Sequence, residues 1–251
     1  MHSSTNLAPK YHYPPIMEAV IELRVNGLLT LKEREKIAKK LKKDYPNSQE
    51  INEVGINIGP NGAESAVTVN EPAKIFRLAS DSQSEIVIIS PQSLAVACLA
   101  PYPGWDDYLT KVVAAWKIWK SIARTRLISR VGVRFINRID IPVNGVEKIE
   151  LEDYLSFYPK VPSFSESPME TYFIQITKRT SNPLWSTNIT STIQPPPMIG
   201  YMSLLLDIDV YRTEEIPLND EDLWGTISEA RELKNGIFRH LITPRTEELF
   251  V

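Results

Sequence analysis

Apolar and polar residues alternate along residues 17–28: Ile21, Leu23 and Val25 fall on one side, Glu22 and Arg24 on the other. That two-residue period predicts a half-buried strand. Thr30-Leu31-Lys32-Glu33 is a capping-box pattern and opens a helix to about residue 44. Leu31, Ile37, Ala38 and Leu41 form its apolar stripe, and Lys36, Lys39, Lys40, Lys42 and Lys43 its wet face. Short strands follow at 53–58 and 64–70, flanking the turn Gly59-Pro60-Asn61-Gly62. Two more are expected at 73–79 and 85–90, with 91–100 read as an extension of the second, giving an antiparallel meander. After the break Pro101-Tyr102-Pro103-Gly104 the period lengthens to that of a helix over 105–124. Trp105, Tyr108, Leu109, Val112, Val113, Trp116, Trp119, Ile122 and Ala123 share one face, an aromatic stripe suited to burial on a sheet.

The second half begins with a long strand, 127–143. Val131, Val133, Phe135 and Ile139 point one way and Arg130, Arg134 and Arg138 the other. A short helix or turn at 149–158 precedes strands at 170–179, 185–193 and 198–211, the last two separated by Gln194-Pro195-Pro196-Pro197. Asn219-Asp220-Glu221-Asp222 places acids in the first turn of a helix whose stripe is Leu223, Trp224, Ile227, Ala230, Leu233, Ile237, Phe238 and Leu241. Thr243-Pro244 restarts a short one, with threonine as N-cap and proline at the first helical position. The order of elements repeats. The expectation is therefore an α+β protein of two similar halves, 15–126 and 127–251, after a flexible leader, 1–14. Each half is an antiparallel sheet with a long amphipathic helix packed on one face, and the two could form one continuous domain.

Composition narrows the functional classes. Hydrophobic residues make up 43% of 251, enough for a sizeable core, and the net charge of -3 favours neither a nucleic-acid binder nor an acidic mimic. The single cysteine, Cys98, lies in an apolar run and reads as a small buried hydrophobe. No stretch has the run of about 18 apolar residues that a membrane span needs. Met1 to Lys10 carries no apolar signal segment, so a cytoplasmic location without membrane association is expected. Nineteen prolines against ten glycines predict rigid loops.

Little of the chain reads as catalytic machinery. With histidines only at positions 2, 12 and 240 and one cysteine, neither a structural zinc site nor a Ser-His-Asp or Cys-His arrangement is expected. His240 reads as a cation at a helix C-terminus, and no glycine-rich phosphate cradle precedes a helix. No cofactor is expected. Asp207 and Asp209 share one side of a strand and form a weak metal candidate, unless arginines neutralise them. Lys111, Lys117, Lys120, Arg124, Arg126 and the arginine stripe make 111–138 locally basic. The candidate binding set is Arg130, Arg134, Arg138, Lys117 and Arg124, suited to RNA, DNA, a nucleotide or an acidic protein. The alternative is a polar sheet face balanced by Asp207, Asp209 and nearby glutamates.

Three segments recur together: Pro14-Pro15-Ile16-Met17-Glu18-Ala19-Val20-Ile21-Glu22; Ser90-Pro91-Gln92-Ser93 with Leu99-Ala100-Pro101-Tyr102-Pro103-Gly104-Trp105; and Arg130-Val131-Gly132-Val133-Arg134-Phe135-Ile136-Asn137-Arg138-Ile139. The end, Glu232-Leu233-Lys234-Asn235-Gly236-Ile237-Phe238 with Ile242-Thr243, fits as well. In these segments and their order the chain resembles a sporadically distributed prokaryotic family of uncharacterised proteins of about this length. The resemblance implies no activity, and its patchy distribution implies a defence or mobile-element setting. The leading expectation is a non-enzymatic interaction protein, an accessory, regulatory or neutralising subunit that binds another protein. The alternatives are a nucleic-acid or nucleotide binder using the basic sheet face, and a metal-dependent enzyme of unfamiliar type using Asp207 and Asp209.

Overall fold

A computed structural model of the chain describes residues 11–53, 56–58, 67–69, 73–124, 126–143, 149–162 and 169–251. In chain order the first stretch runs β1 (Ile16–Val25), α1 (Leu31–Leu41), β2 (Asn47–Glu53), β3 (Ile56–Ile58), β4 (Val67–Val69), β5 (Ala73–Ala79), β6 (Glu85–Ile89), β7 (Ser93–Leu99) and α2 (Trp105–Ala123). The second runs β8 (Ile128–Pro142), a 3-10 turn (Leu151–Asp153), β9 (Phe173–Arg179), β10 (Ser186–Gln194), β11 (Tyr201–Arg212), α3 (Asp220–Leu241) and α4 (Pro244–Glu247).

Nine strands make one antiparallel sheet in the order β2-β5-β6-β7-β1-β8-β11-β10-β9, so both halves of the chain share a single sheet joined at β1 and β8. β3 and β4 pair separately as a short ribbon, and the turn expected at 59–62 lies outside the described residues. Two expectations need correction. Residues 91–100 do not extend the preceding strand. Ser90 and Ser93 close a tight turn, with the Ser93 amide donating to Ser90 Oγ at 2.9 Å, and β7 returns antiparallel to β6. β2, Asn-Ser-Gln-Glu-Ile-Asn-Glu, runs where no strand is expected before residue 53. An edge strand with both faces wet carries no apolar alternation to reveal it.

Alternation places the core. Ala19, Ile21, Leu23 and Val25 of β1, Val131, Val133 and Phe135 of β8, and Leu204, Leu206 and Ile208 of β11 all point to one side. There they join Ile37 and Leu41 of α1, Trp116 and Trp119 of α2, and Leu223, Ile227 and Phe238 of α3 in one cluster. All three long helices therefore cover the same face. Trp116 and Trp119 stack with ring centroids 5.1 Å apart. α1 starts with the expected capping box between Thr30 and Glu33. α2 starts at Gly104, whose φ of 107° suits glycine alone. Asp220 ties the start of α3 to the last turns of α2: it accepts from Lys120 Nζ at 2.6 Å and from Trp116 Nε1 at 3.2 Å. The Tyr13 amide donates to the Phe250 carbonyl at 3.0 Å, bringing the chain's first described residues against its last. Among the described residues no helix is long and apolar enough to cross a membrane.

Candidate functional site on the open sheet face

Among the described residues, no long helix lies over the other face of the sheet. Along one row of register neighbours the side chains run Ala79, Ile86, Ala97, Val20, Arg134, Asp209, Asn188 and Thr177. The row changes from apolar to charged at the β1–β8 junction. Ala79, Ile86 and Ala97 form a small buried cluster of their own, with Val20, Ile88 and Leu99 around it.

The charged part is organised by β8. Gly132 faces the same way as Arg130 and Arg134, and register places it between Glu22 and Tyr211. The Arg130 guanidinium folds over this glycine, into the space that a Cβ would take. From there Nη1 donates to Glu22 and Nη2 to Asp209, each at 2.7 Å, and the group stacks over the Tyr211 ring at 4.5 Å. The register partner of Arg134 is Asp209, but its guanidinium leans to Asp207 in a two-pronged pair at 2.8 and 2.5 Å. Asp209 is left to Arg130. Arg138 Nε donates to Asp140 at 3.0 Å, and Ser203 Oγ donates to the same carboxylate. Asn188 adds a longer contact to Asp209, and Thr177 donates to Asn188.

Electrostatics follow depth. The Arg130 side chain is 13% exposed and that of Arg134 48%. Burial pushes the Asp209 carboxyl up, against the opposing pull of Arg130 and Arg134. Hydrogen bonding to Asp207 raises the Arg134 guanidinium further. All three arginines of the predicted stripe are thus engaged by carboxylates, and a phosphate would have to displace Asp207, Asp209 or Asp140 to reach them. Lys117 and Arg124, the other two members of the predicted set, sit exposed on α2 and at its C-terminus, on the helix layer beyond the sheet. The five side chains therefore do not meet on one surface.

The same geometry bears on Asp207 and Asp209, the weak metal candidates. Each is bound by an arginine, and no group of three metal-ligating side chains occurs among the described residues. Cys98 is buried, and burial raises its thiol. It borders a cavity of about 250 Å³ together with Glu85, Tyr108 and Lys111, but the Tyr108 hydroxyl is already spent on the Val96 carbonyl at 2.7 Å. His240 Nδ1 lies 2.7 Å from the Gly236 carbonyl, inside its own helix, as expected of a residue near a helix end.

Lys234 was missed. It is 5% exposed, with Nζ 3.9 Å from the centre of the Phe135 ring and no carboxylate paired to it among the described residues. Burial first, then Arg231 and Arg239, lower its amine to about 7. The signal was present in the sequence: Lys234 continues the spacing Leu223, Ile227, Ala230, Phe238 on the buried side of α3.

No family model matches the chain, and no curated protein matches it. Among solved structures, that of S. pombe Pct1 RNA triphosphatase in complex with the Spt5 CTD aligns over 96% of this chain and 83% of that one, at 9% identity and a TM-score of 0.15. A likeness at that score carries no argument about fold or activity.

Proposed function

We propose that the chain acts by binding another protein, as a non-enzymatic accessory, regulatory or neutralising subunit. The observation that carries this reading is where large apolar side chains stand exposed. Leu28, Leu31, Leu127 and Leu218 are exposed, and Leu127 and Leu218 line one cleft where β8 begins. Val143, Met198 and Ile199 gather where it ends, the Val143 amide donating to the Gly200 carbonyl at 2.7 Å. Grouped apolar surface on a folded chain is characteristic of a place that a partner covers. The rival use, a phosphate-binding arginine face, asks ligands to compete with carboxylates already in place.

A tagged full chain recovered from its native host, with and without nuclease treatment, tests the reading. A stoichiometric protein that survives nuclease supports it, and a chain recovered alone under both conditions counts against it. Association that disappears with nuclease moves the reading to nucleic acid. Arg134→Glu should then weaken a salt-sensitive interaction.

We also propose that the two halves are similar units. What supports this is strand order: outward from the β1–β8 junction stand β7, β6 and β5 on one side and β11, β10 and β9 on the other. In each half the innermost strand of that trio runs on to a long helix. A circular permutant opened between α2 and β8, with the adjacent ends joined, should fold with the wild-type circular dichroism spectrum. A permutant that stays unfolded argues against exchangeable halves.

A further inference from the structure

Three cationic side chains are buried among the described residues, and one of them has nothing to bind. Arg34 donates to the Lys74 carbonyl, and Arg212 donates to the Glu214 and Glu215 carbonyls. Lys234 makes neither a hydrogen bond nor an ion pair among the described residues. Its Nζ stands 3.9 Å from the centre of the Phe135 ring, which is too close to lie in the ring plane and puts it over the face. Tyr102 packs against the same ring with centroids 5.7 Å apart, and its hydroxyl is sealed from solvent without a hydrogen bond. Asn137, next on that side of β8, gives its amide to the Leu206 carbonyl at 3.1 Å. The surroundings of Phe135 therefore leave polar groups unsatisfied, and an ammonium there is costly. Unlike the Tyr102 hydroxyl, the unpaired Lys234 nitrogen is not sealed, so solvent reaches it at the end of a buried stem.

The charges that act on the amine all come from α3. Arg231 and Arg239 oppose its proton and Glu232 favours it. Glu232 is held by Arg231 Nη1 at 2.8 Å, and that guanidinium lies over the Trp105 ring at 5.1 Å. Burial first, then the two arginines, hold the amine at about 7. Near neutral pH a large share of it carries a free lone pair, whereas an ordinary lysine is almost wholly protonated. An unpaired, desolvated and reachable amine is the form in which lysine acts as a nucleophile toward carbonyl groups.

We infer that Lys234 is a covalent ligand site, at which the amine over the Phe135 ring takes a small uncharged aldehyde as an imine. The nitrogen lone pair attacks the carbonyl carbon, a C–N bond forms, and the carbonyl π pair moves to oxygen, which takes a proton from the nitrogen. The resulting hydroxyl leaves with the second nitrogen proton as water, and the nitrogen lone pair closes the C=N bond. The product is neutral, so it escapes the desolvation cost that the ammonium bears in this place. The narrow exposure of the lysine sets the size of the aldehyde. Its lack of charge follows from the aromatic surroundings and from an Arg231 already engaged by Glu232. No protein partner is needed for this chemistry.

The probe is propanal with cyanoborohydride on the full chain at pH 7, which reduces the imine to a stable secondary amine, followed by peptide mapping by mass spectrometry. The first adduct should map to Lys234, at least about tenfold ahead of the exposed Lys36, Lys39 and Lys42. Lys234→Met should lose that adduct and keep the slow ones. In denaturing urea Lys234 should react no faster than the other lysines. Glyoxylate, scaled to its own rate at Lys36, should show a smaller preference for Lys234 than propanal does. A Lys234 that reacts no faster than the exposed lysines in the folded chain overturns the inference. So does a preference that survives urea, or one as large for glyoxylate as for propanal.

Discussion

Arg130 and Lys234 are both cations withdrawn from water, one on each side of the same strand, and their surroundings differ completely. Arg130 lies on the open face of β8, where register brings Glu22 and Asp209 from the neighbouring strands to either side of it and Tyr211 beneath it. Lys234 comes down from α3 onto the covered face, against the Phe135 ring, where the one polar neighbour along β8, Asn137, is spent on backbone carbonyls. A sheet can surround a cation with carboxylates because adjacent strands present side chains at fixed spacing. A helix laid on an apolar floor offers its lysine no such neighbours. The ring quadrupole meets part of the desolvation cost, and a lowered proton affinity meets the rest.

Breaking the first arrangement should have the largest effect. Arg130→Ala removes the guanidinium that lies between Glu22 and Asp209, leaving Glu22 with Arg24 at 2.9 Å and Asp209 with only the longer-range pull of Arg134, and should destabilise the fold by about 3 kcal/mol in urea unfolding. A loss below about 1 kcal/mol would show that water replaces the guanidinium there.

The opposite sign is expected at Lys234. Its amine lies near 7 in the folded chain against an ordinary 10.5, so the unfolded chain holds the proton more tightly. Between these values the unfolded state binds more protons, and stability rises with pH across that window. Lys234→Met should therefore stabilise the protein by about 2 kcal/mol or more at pH 6, with the gain shrinking toward pH 10. Thermal unfolding across pH checks this, and a gain that does not change with pH would place the lysine's proton elsewhere.

Gly132→Ala sharpens the contrast. The added methyl group takes the place of the Arg130 guanidinium, so the pair with Asp209 should loosen at a cost of about 1–2 kcal/mol. The same substitution made with Arg130→Ala in place should cost less, which a double-mutant cycle measures. The smallest effect is expected at Arg134, which is 48% exposed although its partner Asp207 is 13% exposed. Arg134→Ala should cost less than about 1 kcal/mol, and that loss should fade at high salt, whereas the loss from Arg130→Ala persists.

Much of this was legible where a period was strong. The stripe of α2, the alternation of β8 and the capping box of α1 are local patterns, and each appears within a residue or two of its expected place. β2 escaped because an edge strand need not alternate, and the turn at Ser90–Ser93 escaped because two buried strands separated by three polar or proline residues read as one apolar run. For the candidate site, the direction of Arg130, Arg134 and Arg138 was readable, but their partners were not. Asp207 and Asp209 lie far along the chain, and only pairing in register, with Gly132 leaving room, assigns Asp209 to Arg130 and Asp207 to Arg134.

The sequence alone therefore determined the mixed α+β character, the helix with its tryptophan stripe and the two-faced nature of β8, because these depend on side-chain spacing along a few turns or residues. Only the tertiary structure decided that both halves share one sheet, that the arginines meet carboxylates, and that Lys117 and Arg124 lie on the other layer. Those outcomes depend on contacts between distant parts of the chain, where the energy of an ion pair or an apolar patch is set by neighbours that no local pattern names.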